Sequence, residues 1–395
     1  MYREDIIYFD NNATTAVAPE VFEAMRPFFC NNYGNPSSIY TFGGLVKHDI
    51  EKAREQVAKL LGSTFTDREG HYSEIMFTSC GTESDSAAIF SALQTCPKRR
   101  KFVTTKVEHP AVLNLGKELE RRGYKVSYVP VDSRGRIDMD IMKEQIDSNT
   151  AVVSVMWANN EVGNVYPVEE IAKLAHAKGA LFHTDAVQAV GKIPMNMDES
   201  EIDMLSLSAH KLHGPKGVGA LYIRKGIRFK PFLTGGHQEK GRRAGTENVA
   251  GIVGLGKAAE LALQNLDDEN TRVKALRDRL EEGIKNSIPQ IRINGDLDSR
   301  LPNTSSISFE YIEGESILML MDRLKICASS GSACTTGSLE PSHVLRSMGI
   351  PYTAAHGTIR FSLSIYNTEE EVDYVIEHLP KVISTLRSMS PFWAE

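Results

Sequence analysis

A chain of 395 residues exceeds the size at which one hydrophobic core stops growing, so two closely associated domains are expected. Its 41% hydrophobic and 24% charged content is that of a soluble globular protein, and a net charge of -6 gives no support to a nucleic-acid or membrane-surface role, both of which favour clustered positive charge. No apolar run approaches the roughly 20 residues that span a bilayer, and Met1–Asp10, with Arg3, Glu4 and Asp5, lacks the apolar core of a secretory signal, so the cytoplasm is the default location.

From about residue 50 to 225, short β-branched runs alternate with helical patterns. The strands read are Glu74–Thr78, Lys101–Thr105, Val126–Val129, Ala151–Trp157, Leu181–Asp185, Met204–Ser208 and Gly219–Arg224. Between them lie amphipathic stretches such as Val168–Lys178, where Val168, Ile171, Leu174 and Ala175 share one face. This alternation implies an α/β fold with a largely parallel sheet, in which ligands sit at the carboxyl ends of the strands. Near residue 257 the texture changes. Leu276, Leu280, Ile284 and Ile288 suggest a long amphipathic helix; strands at Ser305–Phe309, Lys325–Ser329 and Thr358–Ser362 and a helix at Glu369–Arg387 follow, as in a smaller α+β domain.

The chemistry clusters after strands. Asp185 ends one of them and Gln188 follows it; the next strand, Met204–Ser208, runs into Ala209-His210-Lys211 and a turn rich in Gly and Pro. A loop lysine of this kind is ordinarily solvated. A lysine that forms a Schiff base, beside an aspartate that pairs with a pyridinium nitrogen, is what pyridoxal phosphate requires. Ser79-Cys80-Gly81-Thr82 opens a helix whose first amides suit a phosphate, although plain N-capping by Ser79 or Thr82 explains this segment equally well. Gly241–Thr246 offers further donors. His109 is placed at the sheet's carboxyl edge, either for the same cavity or as a structural histidine, and Asn159-Asn160 either cap a helix or bind a ligand.

Five cysteines (Cys30, Cys80, Cys96, Cys327 and Cys334) with no CxxC pair argue against a disulfide framework or a thiolate zinc site. Four read as small apolar residues, Cys327 as core. Cys334 differs, because Ser329–Ser338 has no apolar anchor and should be an exposed loop from which a thiolate nucleophile can reach a pocket. Arg360, on the last strand, either clamps a substrate carboxylate or makes a surface ion pair.

From Tyr8–Thr15 to Arg360-Phe361-Ser362, and most specifically in Ser208–Lys211 and Ser329–Glu340, the chain resembles cysteine desulfurases of the long-loop, nitrogen-fixation and iron–sulfur-assembly type. The resemblance implies the aspartate-aminotransferase fold, with a seven-stranded, mainly parallel sheet in a cofactor domain over 16–258. A smaller domain would combine 1–15 with 259–395 and carry the catalytic loop at about 329–341. It implies pyridoxal 5'-phosphate on Lys211, with Asp185 at the ring nitrogen, Gln188 at the phenolic oxygen and His109 stacked on the ring. Gly81, Thr82, Ser208 and His210 would hold the phosphate, joined by Thr246 from the second subunit of a homodimer. Asn160 and Arg360 would bind the carboxylate of L-cysteine. Cys334 would take the sulfur as a persulfide, pass it to an iron–sulfur scaffold protein, and could ligate a cluster transiently. A selenocysteine lyase or small-amino-acid aminotransferase of the same fold is the neighbouring reading, and a sulfur carrier using Cys334 alone the reading from another class.

Overall fold

The structure, a computed structural model, describes residues 6–330 and 340–393. Cys334 and the centre of the expected catalytic loop therefore lie outside the described residues.

Thirteen strands are described. In chain order they are β1 (Ile7–Tyr8), β2 (Ile75–Thr78), β3 (Lys101–Thr105), β4 (Lys125–Val129), β5 (Thr150–Ser154), β6 (Leu181–Asp185), β7 (Met204–Ser208), β8 (Gly219–Ile223), β9 (Ile291–Asn294), β10 (Thr304–Phe309), β11 (Ile326–Cys327), β12 (Ser329–Ser330) and β13 (Thr358–Ser362). Strands β2 to β8 form one seven-stranded sheet in the order β2-β8-β7-β6-β5-β3-β4, in which only β8 runs against its neighbours. Strands β3, β5, β6, β7 and β8 are buried at every position or all but one, as expected of a sheet covered on both faces. On one face the helices Gly81–Thr95 and Pro110–Arg121 pack Ala88, Ile89, Val112 and Leu119 onto Phe102 and Val152. A larger apolar cluster covers the other face, with Val57, Leu61, Ile171 and Leu255 packed around Val153, Phe182 and Leu205.

A third cluster forms around the four-stranded antiparallel sheet β12-β13-β10-β9. Phe309 and Phe361 pack there with Leu280 and Ile284 of the helix Lys274–Ser287 and with Val375 and Leu379 of the helix Glu369–Met389. Phe9 belongs to the same cluster, because β1 pairs in parallel with β11 and Asp10 bridges to Ser362. The described residues just before β13 behave differently: Val344, Leu345, Met348 and Ile350 pack into the larger cluster.

Two sequence expectations need correction. The strand expected at Lys325–Ser329 starts one residue later, after Lys325 at a left-handed φ of 60, and is divided at Ala328 because β11 pairs with β1 while β12 joins the four-stranded sheet. None of the four described cysteines is a core residue: Cys30 is exposed, and Cys80, Cys96 and Cys327 are half-buried.

Candidate active site

Residues just beyond the carboxyl ends of β2, β3, β5, β6 and β7 converge on a cavity of about 320 Å³. Its wall is completed by Asn12 and Ala13 from the N-terminal segment and by Ser329 and Arg360 from the small sheet. Of the residues expected from sequence, Gly81, Thr82, His109, Asn160, Asp185, Gln188, Ser208, His210, Lys211 and Arg360 all line it. Thr246 does not line it and is exposed, while Cys334 lies outside the described residues.

Lys211 sits in a short 3-10 turn directly after β7, with its Nζ donating to the carbonyls of Asn12 and Ala13, the latter at 2.7 Å. Burial first, then the positive charges of Arg360 and Lys192, bring its ammonium down to about 8, against the opposing pull of Asp10 and Asp185. The amine is therefore readily available uncharged, as covalent chemistry on a carbonyl requires. Asp185, the last residue of β6, is buried and accepts from the Val187 amide at 2.9 Å. Burial raises its proton affinity, while His109, the Val187 amide and Lys211 favour its charged form.

His109 caps the helix Pro110–Arg121: its Nδ1 accepts from the Ala111 amide at 3.1 Å, which leaves the ring proton on Nε2. Burial holds the imidazole below its usual range, so it is neutral at pH 7. His210 is likewise pushed down, to about 4, by burial and the neighbouring Lys211 and Lys216, and its Nδ1 lies 3.1 Å from the Thr14 hydroxyl.

The helix Gly81–Thr95 begins at the cavity. Its N-cap is Cys80, which makes no side-chain bond to the first-turn amides. Plain N-capping does not account for this segment: Ser79 Oγ turns to Cys80 Sγ at 3.7 Å, while Gly81 and Thr82 of the first turn line the cavity, where a helix start favours an anion. A Cβ on Gly81 would come within 2.8 Å of Val187, so glycine is what lets the helix start approach β6. The double asparagine separates into two roles. Asn159 is fully buried and structural, donating to the Val107 carbonyl and accepting from the amides of Glu161 and Val162. Asn160 lines the cavity, and its carbonyl accepts from Arg360 at 2.9 Å.

Arg360 is buried, not a surface pair: it also reaches Asp10 at 2.7 Å, and its Nε has no partner. Gln188 donates to the Asn12 carbonyl at 2.9 Å and leaves Oε1 without a partner. Buried polar atoms without partners are uncommon and mark a place for a ligand. Here they accompany a lysine, a strand-end carboxylate and an anion cradle, a donor set that fits an aromatic ring carrying a phosphate. Sequence reasoning missed Asn12, Asp10, Cys80 and Asp85. Asn12 and Asp10 carried only the signal of polar residues in a short Asp-Asn-Asn run; Cys80 and Asp85 read as part of a helix start.

Comparison with known proteins agrees with this geometry. The family described as aminotransferase class-V matches residues 7–375. The chain is 59% identical over 388 residues to cysteine desulfurase NifS of Azotobacter vinelandii, covering 98% of this chain and 95% of that one. A solved NifS-like protein superposes with a TM-score of 0.89 at 43% identity, covering 96% of this chain and 100% of the other. SspA, solved in complex with cysteine, superposes with a TM-score of 0.79 at 34% identity, covering 92% of this chain and 100% of its own. The chain belongs to the cysteine desulfurases of the class-V aminotransferase family, pyridoxal-phosphate enzymes of fold type I.

Proposed function

We propose that the cavity takes sulfur from L-cysteine with Lys211 as the cofactor-bearing amine and proton carrier and Cys334 as the sulfur acceptor. The observation that carries this reading is the convergence of Lys211, Asp185, His109 and Arg360 on one cavity beside an open helix N-terminus. Pyridoxal phosphate, when bound, supplies an electron sink for the charge that develops at the substrate's α-carbon.

The residues that line the cavity then have tasks that their surroundings support. Gly81, Thr82, Ser208 and His210 hold the phosphate, with Thr246 added from the partner chain of a homodimer. With the cofactor bound, Asp185 would keep a proton on the ring nitrogen, His109 would cover the ring and Gln188 would meet its phenolic oxygen. Asn160 and Arg360 bind the carboxylate of L-cysteine; the guanidinium is suited to this because Asp10 and the Asn160 carbonyl already fix its plane. Lys211, with an amine poised near 8, takes the α-proton. The Cys334 thiolate attacks the substrate sulfur: an S–S bond forms, the C–S bond breaks, and the carbon fragment is protonated and leaves as alanine. The persulfide passes to an iron–sulfur scaffold protein, the step in which Cys334 could ligate a cluster. We read the cavity as the seam between a cofactor domain over 16–258 and a smaller domain formed by 1–15 and 259–395.

Cys334→Ser should keep the visible cofactor band and form no alanine from cysteine; Lys211→Ala should lose the band and lower alanine formation by roughly 10³-fold or more. Undiminished alanine formation by Cys334→Ser would remove the nucleophile assignment.

A further inference from the structure

Asp85 lies one helical turn after Gly81, lines the same cavity as Asp185, and is 1% exposed. Its Oδ1 has no hydrogen-bond partner. The nearest basic group is the His183 ring, whose Nε2 is 3.7 Å away, but that ring is already occupied on both sides: Nδ1 by Ser154 Oγ at 2.8 Å and Nε2 by Ser206 Oγ at 2.9 Å. Burial pushes His183 down to about 3, so it is a neutral imidazole and offers Asp85 no counter-charge. The other ionisable groups that act on Asp85 are Asp185, Glu108 and Cys80, all acids: none offers a counter-charge, and Asp185 as an anion repels a second one. Asp185, by contrast, accepts from the Val187 amide and lies in the field of Lys211, both of which support a charge.

We propose that Asp85 is a second, uncharged carboxyl of the cofactor site: a carboxylic acid whose O–H is a hydrogen-bond donor to the bound cofactor beside Asp185. Two carboxyls at the cavity floor then carry one negative charge, and that charge rests on Asp185. Two anions buried on the lining of one cavity would repel, so the pair retains a proton. Burial first, and then the charge of Asp185, move Asp85 well above the usual carboxylate range, while a hydrogen bond from the Ser206 hydroxyl acts the other way. A carboxyl kept neutral in this way can serve as a donor at neutral pH. The inference rests on the cofactor reading above.

The test begins with cofactor-free protein. In the infrared difference between wild type and Asp85→Asn at pH 7, the carbonyl stretch of a protonated carboxylic acid should be lost on substitution; loss of carboxylate bands instead would overturn the proposal. Stability gives a second reading. An acid whose affinity for its proton is raised by folding stabilises the native state fully below the unfolded carboxyl range, and that contribution is lost as pH rises. The Tm advantage of Asp85→Asn over wild type should therefore widen from pH 5 to pH 8, and a constant or shrinking difference would count against a neutral Asp85. The third measurement is pyridoxal phosphate affinity: Asp85→Ala should bind about tenfold more weakly, as expected for one lost hydrogen bond, and Asp85→Asn, which still donates, should largely restore it. Equal affinities for the alanine and asparagine variants would sink the donor role. Because the first two readings need no cofactor, protein that binds none at all would refute the proposed function without touching the protonation state of Asp85. Should Asp85→Asn fail to fold, Asp85→Ser supplies the same infrared and Tm comparisons.

Discussion

Lys211 and Arg360 are both cations of the cavity wall, held by opposite means. Lys211 follows the end of β7 in the seven-stranded sheet, is half-buried, and among the described residues donates to the backbone carbonyls of Asn12 and Ala13. Those are bonds that an incoming ligand can replace without leaving a buried charge alone. Arg360 lies within β13 of the small sheet, buried, with Asp10 and the Asn160 carbonyl fixing two of its nitrogens. One group is placed to change partners and charge; the other is placed to stay still and stay charged. The cavity needs both kinds, and each sheet supplies one.

The sharpest way to break this contrast is to keep the charge of Arg360 while removing its shape. Arg360→Lys retains a cation but loses the planar fork, so KM for L-cysteine should rise by about 10–100-fold with the cofactor band retained. Asp10→Asn should produce a smaller rise, about tenfold, because the guanidinium loses a fixed anchor but not its own donors. Steady-state kinetics over a range of cysteine concentrations check both, and a fall in kcat at constant KM for either variant would mean that Arg360 acts elsewhere than on the substrate carboxylate.

The mobile side of the contrast is a matter of pH. Lys211 must be uncharged to take up the cofactor, and burial together with Arg360 and Lys192 has brought it to about 8. The rate at which cofactor-free protein is loaded with pyridoxal phosphate should therefore climb with pH to a midpoint near 8. Arg360→Gln removes one of the charges that depress the amine, so the midpoint should move upward. A midpoint that stays in place would show that burial and Lys192 set the lysine and that Lys211 and Arg360 do not sense each other.

Much of the Lys211 side was legible in the sequence because its parts are local. Strands β3, β6, β7 and β13 have the limits read from the β-branched runs, and Asp185, Ser208, His210 and Lys211 stand at the ends of two of them. The Arg360 side was hidden by distance. Its anchor Asp10 is 350 residues away and reaches it only because β1 pairs with β11 and Asp10 bridges to Ser362, pairings that no local pattern announces. Strand β9 was missed for a different reason: three of its four residues are half-buried and include Arg292, so the apolar signal is weak. Asp85 reads from sequence as an ordinary polar residue near a helix start; only the packing of that helix against β6 and β7 turns it inward.

A last prediction asks whether the still half of the site depends on the small domain's general stability or only on the Asp10 contact. The helix behind β13 starts with a capping box, in which Thr368 Oγ1 accepts from the Glu371 amide at 3.3 Å and the Glu371 carboxylate accepts from the Thr368 amide at 3.1 Å. Glu371 also accepts from Asn367 at 2.8 Å, and Asn367 in turn donates to the Tyr8 carbonyl at 3.2 Å, two residues before Asp10. Thr368→Ala removes one cap bond and should cost about 1 kcal/mol of stability, read as a lower Tm. The Glu371–Asn367–Tyr8 chain does not pass through the threonine hydroxyl, so KM for cysteine and the cofactor-loading midpoint should stay at their wild-type values. A raised KM in Thr368→Ala would mean that the helix start, and not Asp10 alone, holds Arg360 in place.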